Sequence, residues 1–212
     1  MRKSGLTLVV GQEMPACALL HLVDGRGVAE DQLGDFVGWL GAGELSRYQR
    51  FVRPERRRQF LLGRVLARKA LGQLLGVTPQ DLQIADRPGQ APVLLGPHST
   101  TSFSISHSGP WVACAVSAES ALGLDIEQLD STRNILALAE QAFGPERWAW
   151  LAARPGETRM RDFYTMWSTQ EARIKLGAEP AMTTELQHPD ISIVLCSSVP
   201  LSPLPQVIPS RL

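Results

Sequence analysis

Alternation of apolar and polar residues predicts a set of short strands along the chain. The clearest pair lies on either side of a His-Ser-Gly-Pro turn, at residues 103–106 and 111–116. This pattern predicts a hairpin that presents Ser106, His107 and Ser108 at its rim. Further strands are expected at residues 6–10, 16–23, 93–95, 122–127 and 191–195.

Apolar residues at helical spacing predict several helices. The longest runs from residue 47 to a stop at Gly76 and carries an arginine-rich face opposite an apolar stripe. Ser131 or Thr132 is expected to cap a later helix. The helices are expected at residues 31–40, 47–75, 132–143, 146–153 and 163–177. An exposed turn is expected at residues 86–92, a polar link at 156–161 and a loosely ordered tail at 197–212.

The strand at residues 122–127 alternates apolar and acidic side chains. Leu124 and Ile126 are expected to face a core, which places Asp125 and Glu127 side by side on the opposite face. Two neighbouring carboxylates suit a hard divalent cation such as Mg²⁺.

The helix at residues 163–177 adds a third carboxylate and an amine. Trp167, Glu171 and Lys175 are four residues apart and therefore lie along one line of its surface. Glu171 and Lys175 are expected just off the edge of a buried stripe. Together with the two strand carboxylates, they predict a Mg²⁺ site with a proton-transfer pair. The buried stripe is expected to consist of Phe163, Met166, Trp167, Gln170 and Ile174.

Charge and cysteine usage narrow the function classes. The 21 basic and 21 acidic residues cancel, so no overall field favours nucleic acid or a membrane. Cys17, Cys114 and Cys196 are too few and too scattered for a disulfide framework or a zinc site, and free thiols suit a reducing cytoplasm. The first residues lack a full signal-peptide hydrophobic region, and no apolar run reaches the length of a membrane span. We therefore expect a soluble, cytoplasmic protein.

Several polar residues allow more than one interpretation. Most arginines between Arg47 and Arg68 are expected on a solvated face, yet such a cluster can also hold an anion, because arginine binds phosphate bidentately. His107 is either a structural surface residue or, between two hydroxyls, a phosphate contact. Glu171 and Lys175, taken alone, are either an ordinary helix salt bridge or part of a site.

Three motifs, in this order and spacing, resemble the 4′-phosphopantetheinyl transferases of the surfactin-synthetase type. They are Phe-Ser-Ile-Ser-His-Ser at residues 103–108, Gly-Leu-Asp-Ile-Glu at 123–127, and Trp-x-x-x-Glu-Ala-x-x-Lys at 167–175. The arginine-rich segment is similar to the upstream helix of that family. The resemblance covers residues 44–180.

The resemblance implies an α+β fold of two pseudo-symmetric subdomains, expected here at residues 1–115 and 116–212, with the active site in the cleft between them. It implies transfer of the phosphopantetheine arm of coenzyme A to a serine of an acyl, peptidyl or aryl carrier protein, with release of 3′,5′-adenosine bisphosphate. Mg²⁺ is the implied cofactor. Coenzyme A and the apo carrier protein are the implied partners, without nucleic acid or membrane, and a monomer is expected.

The resemblance also assigns catalytic and metal-binding roles. Asp125, Glu127 and Glu171 match the family's metal ligands. Glu171, directly or through a metal-bound water, can take the proton of the carrier serine. Lys175 can stabilise or protonate the leaving phosphate.

Phosphate-binding roles follow in the same way. His107, counted with the catalytic residues, matches the position that contacts the pyrophosphate together with Ser106. Arg47 and Arg87 match the positions that bind the 3′-phosphate of coenzyme A, which Lys175 also approaches.

The chain departs from the family pattern at three places. Ser104 stands where the family often has asparagine, Ala91 where it has a lysine before proline, and Gln170 where it has a lysine before the helix glutamate. These departures keep open a coenzyme A or carrier-protein binding module that has lost catalysis. A metal-dependent phosphodiesterase is disfavoured because no further His/Asp cluster is present for a second metal. A nucleic-acid binder is disfavoured by the zero net charge.

Overall fold

The structure is a computed structural model, and it describes residues 16–87 and 89–212. The strand predicted at residues 6–10 and its turn lie outside the described residues. The helices are α1 (Glu30–Val37), α2 (Ala42–Gln49), α3 (Pro54–Leu75), α4 (Ile135–Ala152) and α5 (Gly156–Leu176). The strands are β1 (Leu19–Asp24), β2 (Ile84–Arg87), β3 (Gln90–Leu94), β4 (Ser102–Ser108), β5 (Trp111–Ser117), β6 (Leu122–Gln128), β7 (Met182–Leu186), β8 (Ile191–Ser197) and β9 (Val207–Pro209).

Four layers stack through the molecule. Helix α3 covers one face of a sheet with strand order β4-β5-β1-β9. The other face of that sheet packs against a second sheet of order β6-β8-β7, through Leu20 and Ala113 on one side and Leu124 and Ile193 on the other. Helix α5 covers the far face of the second sheet, where Ala172 meets the β8 side chains. The predicted α+β fold, a small sheet and a long helix in each half, is confirmed.

The predicted hairpin and the predicted acidic strand are both present. Strands β4 and β5 pair antiparallel around the turn at Gly109, and β6 pairs antiparallel with β8. Leu124 and Ile126 are fully buried between the sheets, as expected. The turn predicted at residues 86–92 is shorter than expected, because Arg87 already pairs with Gln90 in a β2–β3 hairpin.

The arginine-rich segment forms two helices rather than the single helix predicted. Helix α2 ends at Gln49, and α3 restarts at Pro54, which occupies the first helical turn where its missing N–H costs nothing. The predicted stop at Gly76 is confirmed, since that residue adopts the left-handed φ of 67° that glycine tolerates best.

The buried stripe predicted for α5 is partly wrong. Phe163 is buried, and Met166 and Trp167 pack partly buried in the same core cluster, as predicted, whereas Gln170 is exposed and Ile174 is 65% exposed. Tyr164, Ser168 and Ala172 are also buried. Gly123 of β6 decides this: a Cβ there would lie 2.6 Å from the Leu176 nitrogen and closer still to the Ala172 carbonyl oxygen. The helix backbone at Ala172 and Leu176 therefore packs directly against β6.

Two helix boundaries also differ from the prediction. The polar link expected at residues 156–161 is the first part of α5, which begins at Gly156. Helix α4 is capped by Asn134, whose side chain accepts a hydrogen bond from the Ala137 N–H, and not by Ser131 or Thr132. The break between the two helices predicted there is real, because Gly144 has a non-helical φ of 75° ahead of Pro145.

The C-terminal residues are ordered, which corrects the expectation of a loose tail. Strand β9 runs parallel to β1, and the Ser210 N–H donates to the Leu22 carbonyl over 2.8 Å. Leu212 packs against the core under α3. The composition of this segment hid its role, because its partner strand β1 lies almost the whole chain away. The predicted subdomain boundary at residues 115 and 116 falls inside β5.

Candidate active site at the junction of the two sheets

Asp125 lies at the centre of a polar cluster between β4, β6 and α5. Its side chain is buried, and its Oδ1 accepts hydrogen bonds from Ser106 Oγ at 3.0 Å and from Lys175 Nζ at 2.8 Å. Its Oδ2 is buried without a hydrogen-bond partner. An unpaired buried carboxylate oxygen is costly unless something else binds it, so this atom is a candidate ligand position.

Lys175 reaches this cluster from α5, as the predicted line along the helix requires. Its Nζ also donates to Ser106 Oγ and to the Leu124 carbonyl oxygen, both at 3.0 Å. The three donors of the ammonium group are therefore all engaged. The structure confirms that Asp125 and Lys175 come together, which the sequence could only infer from separate elements.

Glu127 lies two residues further along β6, on the same face as Asp125. Its Oε2 accepts a 2.8 Å hydrogen bond from Ser108 Oγ. Burial raises the pKa of the Glu127 carboxyl, the Ser108 hydrogen bond opposes this, and the Asp125 charge raises that pKa further. Two like charges held close together in a partly buried place favour a cation between them.

Glu171 is half-buried on α5, one turn before Lys175. Among residues 16–87 and 89–212, no three His, Cys, Asp or Glu side chains come close enough to hold a metal ion as a group. The predicted three-carboxylate set is therefore not assembled. Mg²⁺ commonly uses one or two carboxylates together with substrate phosphates and water. Asp125 and Glu127, with the unpaired Asp125 Oδ2, fit that donor set.

His107 and Ser106 are neighbours on β4 and point to opposite faces of the strand. The His107 ring lies toward α3, with Nδ1 3.5 Å from Arg56 Nη1. Burial lowers the pKa of His107, and the nearby Arg56 guanidinium lowers it further. The imidazole is therefore neutral near pH 7 and offers one donor and one acceptor. No separate role for Arg56 was predicted within the arginine cluster.

Arg47 belongs to α2 and its side chain reaches the β2–β3 hairpin, of which Arg87 is a part. Arg47 Nη1 is 3.1 Å from Asp86 Oδ1, and Arg87 Nε donates to the Ala91 carbonyl oxygen over 3.0 Å. The Arg47 side chain is 46% exposed, so it remains accessible to a ligand.

Two other arginines of the cluster are buried, which corrects the expectation of a solvated face for them. Arg64 and Arg68 pair with Glu44, a buried residue of α2, and Arg64 also pairs with Asp86. Burial lowers the pKa of Arg64 despite these partners. The sequence did not predict these carboxylate partners, because Glu44 and Asp86 lie on other elements.

A cavity of about 450 Å³ opens beside Glu127. Its walls are mainly apolar and come from α4 and α5, with Phe163, Tyr164 and Trp167 on one side and Arg133 at the edge. Local sequence patterns did not predict this cavity, because it forms between helices whose relative placement no local pattern determines.

No helix within the described part of the chain is both long and apolar enough to cross a membrane.

Comparisons with known proteins agree with this geometry. A model described as 4′-phosphopantetheinyl transferase, N-terminal, matches residues 29–119, and the 4′-phosphopantetheinyl transferase superfamily model matches residues 121–198. The chain is 33% identical over 174 residues to the 4′-phosphopantetheinyl transferase HetI of Nostoc sp., covering 81% of this chain and 71% of HetI. The chain belongs to the 4′-phosphopantetheinyl transferase superfamily. The family predicted from the three motifs is thus confirmed, and the names of the matching models and relatives support a transferase activity.

Two further relatives are bacterial members of the same superfamily. The 4′-phosphopantetheinyl transferase psf-1 of Bacillus pumilus is 32% identical over 69% of this chain, and Sfp of Bacillus subtilis is 27% identical over 71%. The chain spans 60% of psf-1 and 65% of Sfp, less than two thirds of either protein. The matches to the two family models meet between β5 and β6, where the chain passes from the first sheet to the second.

The three departures from the superfamily pattern fall at different kinds of position. Gln170 is exposed on α5 and does not enter the buried stripe where the sequence placed it. Ala91 offers only its carbonyl oxygen, which Arg87 uses. Ser104 is buried, and its Oγ accepts a hydrogen bond from the Leu124 N–H at 2.9 Å. None of the three touches Asp125.

Proposed function

We propose that this protein transfers the 4′-phosphopantetheine arm of coenzyme A to a serine of an apo carrier protein and releases 3′,5′-adenosine bisphosphate. The observation that carries the proposal is the Asp125 cluster at the sheet junction, in a chain of this superfamily. There a buried carboxylate holds a lysine with one oxygen and leaves the other oxygen unpaired. With a divalent cation bound, such a site can offset the negative charge of a pyrophosphate that is being cleaved.

Asp125 and Glu127 are the residues that would hold Mg²⁺ in this proposal. When bound, the ion offsets the negative charge of the pyrophosphate and of the departing phosphate. Arg47 and Arg87 would bind the 3′-phosphate, and Arg47 has further N–H donors besides the one that contacts Asp86. Arg56 stands beside His107 and adds a positive charge where that histidine would meet the pyrophosphate.

Residues of this chain can carry out the proton transfers of the reaction. Glu171, as a carboxylate, accepts the proton of the carrier serine, whose oxygen forms a new bond to the phosphorus that carries the pantetheine arm. The bond from that phosphorus to the bridging oxygen breaks, and adenosine bisphosphate leaves with the electron pair. Lys175 stabilises the leaving phosphate or returns a proton to it, for which its ammonium group gives up one of its three hydrogen bonds. General base catalysis of this kind contributes about 10²–10⁴-fold to a rate.

The cavity beside Glu127 is the place we propose for the pantetheine arm. Its volume of about 450 Å³ and its aromatic walls suit a slender, mostly neutral chain, and Glu127 at its edge leads to the proposed metal site. The arm would then lie next to the phosphate from which it extends.

The test is mass spectrometry of a panel of apo carrier proteins incubated with this protein, coenzyme A and Mg²⁺. We expect at least one carrier to gain one phosphopantetheine group, and the Asp125→Ala variant to produce no gain. No gain with any acyl, peptidyl or aryl carrier would overturn the enzymatic proposal.

A second candidate is a coenzyme A or carrier-protein binding module without catalysis. The absence of a lysine side chain at Ala91 and at the exposed Gln170 favours it. Calorimetry with coenzyme A distinguishes the two functions. If coenzyme A binds and no carrier of the same panel is modified, the protein is a binding module.

We also propose that the active protein is a cytoplasmic monomer. Ser106 and Lys175 come from the two halves of one chain and already meet within it, so the cluster needs no second copy. Cys17, Cys114 and Cys196 are all free thiols. Light scattering at the assay concentration tests the oligomeric state.

A further inference from the structure

A row of serine hydroxyls joins the two sheets. Among the described strands, β6 lies at the edge of its sheet, so every second N–H of its backbone faces away from its neighbour β8. Four of these N–H groups donate to serine Oγ atoms of β4, over 3.0, 2.9, 3.2 and 2.9 Å. The pairs, from one end to the other, are Leu122 with Ser102, Leu124 with Ser104, Ile126 with Ser106 and Gln128 with Ser108. We call this row the serine ladder.

The serine ladder follows from the shared repeat of two neighbouring strands. Side chains on one face of a strand recur every two residues, and so do the outward N–H groups of an edge strand. Serine at alternate positions of β4 therefore meets each outward N–H of β6 in turn. Side-chain oxygens take the place of a backbone ladder, and the edge of β6 is satisfied without merging the two sheets.

The two ends of the serine ladder differ in what else the hydroxyls do. Ser106 Oγ also donates to Asp125 Oδ1 at 3.0 Å, and Ser108 Oγ donates to Glu127 Oε2 at 2.8 Å. A hydroxyl has one donor and two acceptor positions. Once its oxygen accepts a fixed backbone N–H, the direction of its own O–H is restricted, and the carboxylate that accepts it is oriented in turn.

Ser106 illustrates how complete this arrangement is. Its oxygen accepts from the Ile126 N–H and from Lys175 Nζ, and its proton goes to Asp125. All three positions of the hydroxyl are occupied, so its side chain has no capacity left for a phosphate group. The pyrophosphate contact expected of Ser106 stays a prediction, and the hydrogen bonds favour a different role.

We propose that Ser106 and Ser108 are positioning residues, which orient the Asp125 and Glu127 carboxylates toward a divalent cation, while Ser102 and Ser104 serve only to join the sheets. The inference rests on the proposed metal site. Hydrogen-bond partners of metal-binding side chains typically change metal affinity by about 10–100-fold when they are removed. Within the ladder, only the two serines beside the carboxylates are expected to have that effect.

The test compares Ser108→Ala with Ser104→Ala. Both hydroxyls accept one β6 N–H at 2.9 Å, and only Ser108 also donates to a carboxylate. Mg²⁺ is titrated by calorimetry into each protein saturated with coenzyme A, because Mg²⁺ commonly takes part of its ligands from substrate phosphates, and stability is measured by urea denaturation. We expect Ser108→Ala to weaken Mg²⁺ binding about tenfold or more and Ser104→Ala to leave it unchanged, although both lower the denaturation midpoint.

Further variants distinguish positioning from general damage. Ser108→Thr keeps the hydroxyl and is expected to restore binding, whereas Ser108→Cys keeps a similar volume with a weak donor and is expected to remain impaired. Unchanged Mg²⁺ affinity in Ser108→Ala, or equal weakening in Ser104→Ala, would overturn the positioning role. If the unaltered protein binds no Mg²⁺, the proposed metal site itself is wrong and the inference fails with it, which is a different and recognisable result.

Discussion

Lys175 Nζ and Asp125 Oδ1 are 2.8 Å apart, and this ion pair ties α5 to the edge strand β6. The Asp125 side chain is 6% exposed, whereas the Lys175 side chain is 31% exposed. Loss of this ion pair would therefore cost the buried carboxylate more free energy than the lysine, because water can still reach the lysine. Because both residues carry proposed roles in the reaction, the same contact contributes to stability and arranges the site.

Replacement of Lys175 by methionine should affect stability and activity together. The buried Asp125 carboxylate would keep only its hydrogen bond to Ser106, which we expect to cost about 1–3 kcal/mol in free energy of unfolding. Carrier modification should fall by about 10²-fold or more. The double variant Asp125→Asn/Lys175→Met, measured by urea denaturation, should lose less stability than the sum of the single variants. Simple additivity would contradict a direct coupling.

Gly123 is expected to tolerate no side chain. In Gly123→Ala the new Cβ would lie 2.6 Å from the Leu176 nitrogen, a backbone atom that cannot rotate away. We expect a loss of about 3 kcal/mol or more in unfolding free energy, and weaker carrier modification because α5 carries Lys175. Gly43→Ala is the control, since no atom lies within 4 Å of the added Cβ on α2. It should be about 0.5–1 kcal/mol more stable than the unaltered protein. Equal stability of the two variants would contradict the close contact of α5 with β6.

Glu44 should be essential to the fold rather than to the reaction. Glu44→Gln keeps the shape of the side chain but leaves Arg64 with Asp86 as its remaining charged partner and Arg68 with only the Arg64 carbonyl oxygen. We expect a loss of about 3–5 kcal/mol in unfolding free energy, and little recovery at high salt because the group is buried. Exposed Glu55→Gln should change stability by less than about 0.5 kcal/mol. A small effect at Glu44 would mean that water reaches the cluster.

His21 should make the protein less stable in mild acid. Burial lowers the pKa of this residue below its ordinary value of 6.5, so the unfolded chain binds the proton more readily than the folded protein. The free energy of unfolding therefore falls as the pH falls through 6.5 and below. Because His21 Nδ1 also lies 2.9 Å from Ser210 Oγ, protonation acts at the contact between β1 and the C-terminal segment.

The check on His21 is urea denaturation at about pH 7.5 and about pH 5.5. The His21→Gln variant should lose less stability between the two conditions than the unaltered protein does. His98→Gln, on the turn before β4, shows what loss of another histidine does. An identical pH dependence in the protein with and without His21 would exclude this residue as the cause.

Local patterns predicted the parts of the site that lie on single elements. The alternation at residues 122–127 was enough to place Asp125 and Glu127 on one face, because a strand repeats every two residues whatever packs against it. The same argument predicted the β4–β5 hairpin. The stop at Gly76 followed from the special backbone freedom of glycine.

The buried face of α5 could be predicted only in part in this way. The helical projection placed Gln170 and Ile174 in the buried stripe, yet both are exposed, because Gly123 on another element lets the helix backbone at Ala172 and Leu176 pack against β6. The buried arginines show the same limit. Arg64 and Arg68 were expected on a solvated face, but in the fold both pair with Glu44, and Arg64 also pairs with Asp86.

The sequence by itself determined the family, the order of the motifs and which side chains share a strand face, since these depend on residue type and short-range periodicity. Only the tertiary structure decided that Asp125 meets Lys175, that the serine ladder joins the sheets, and that the C-terminal segment returns to β1. These contacts join residues far apart in the chain. They depend on how closely two backbones approach, and no local pattern encodes that distance.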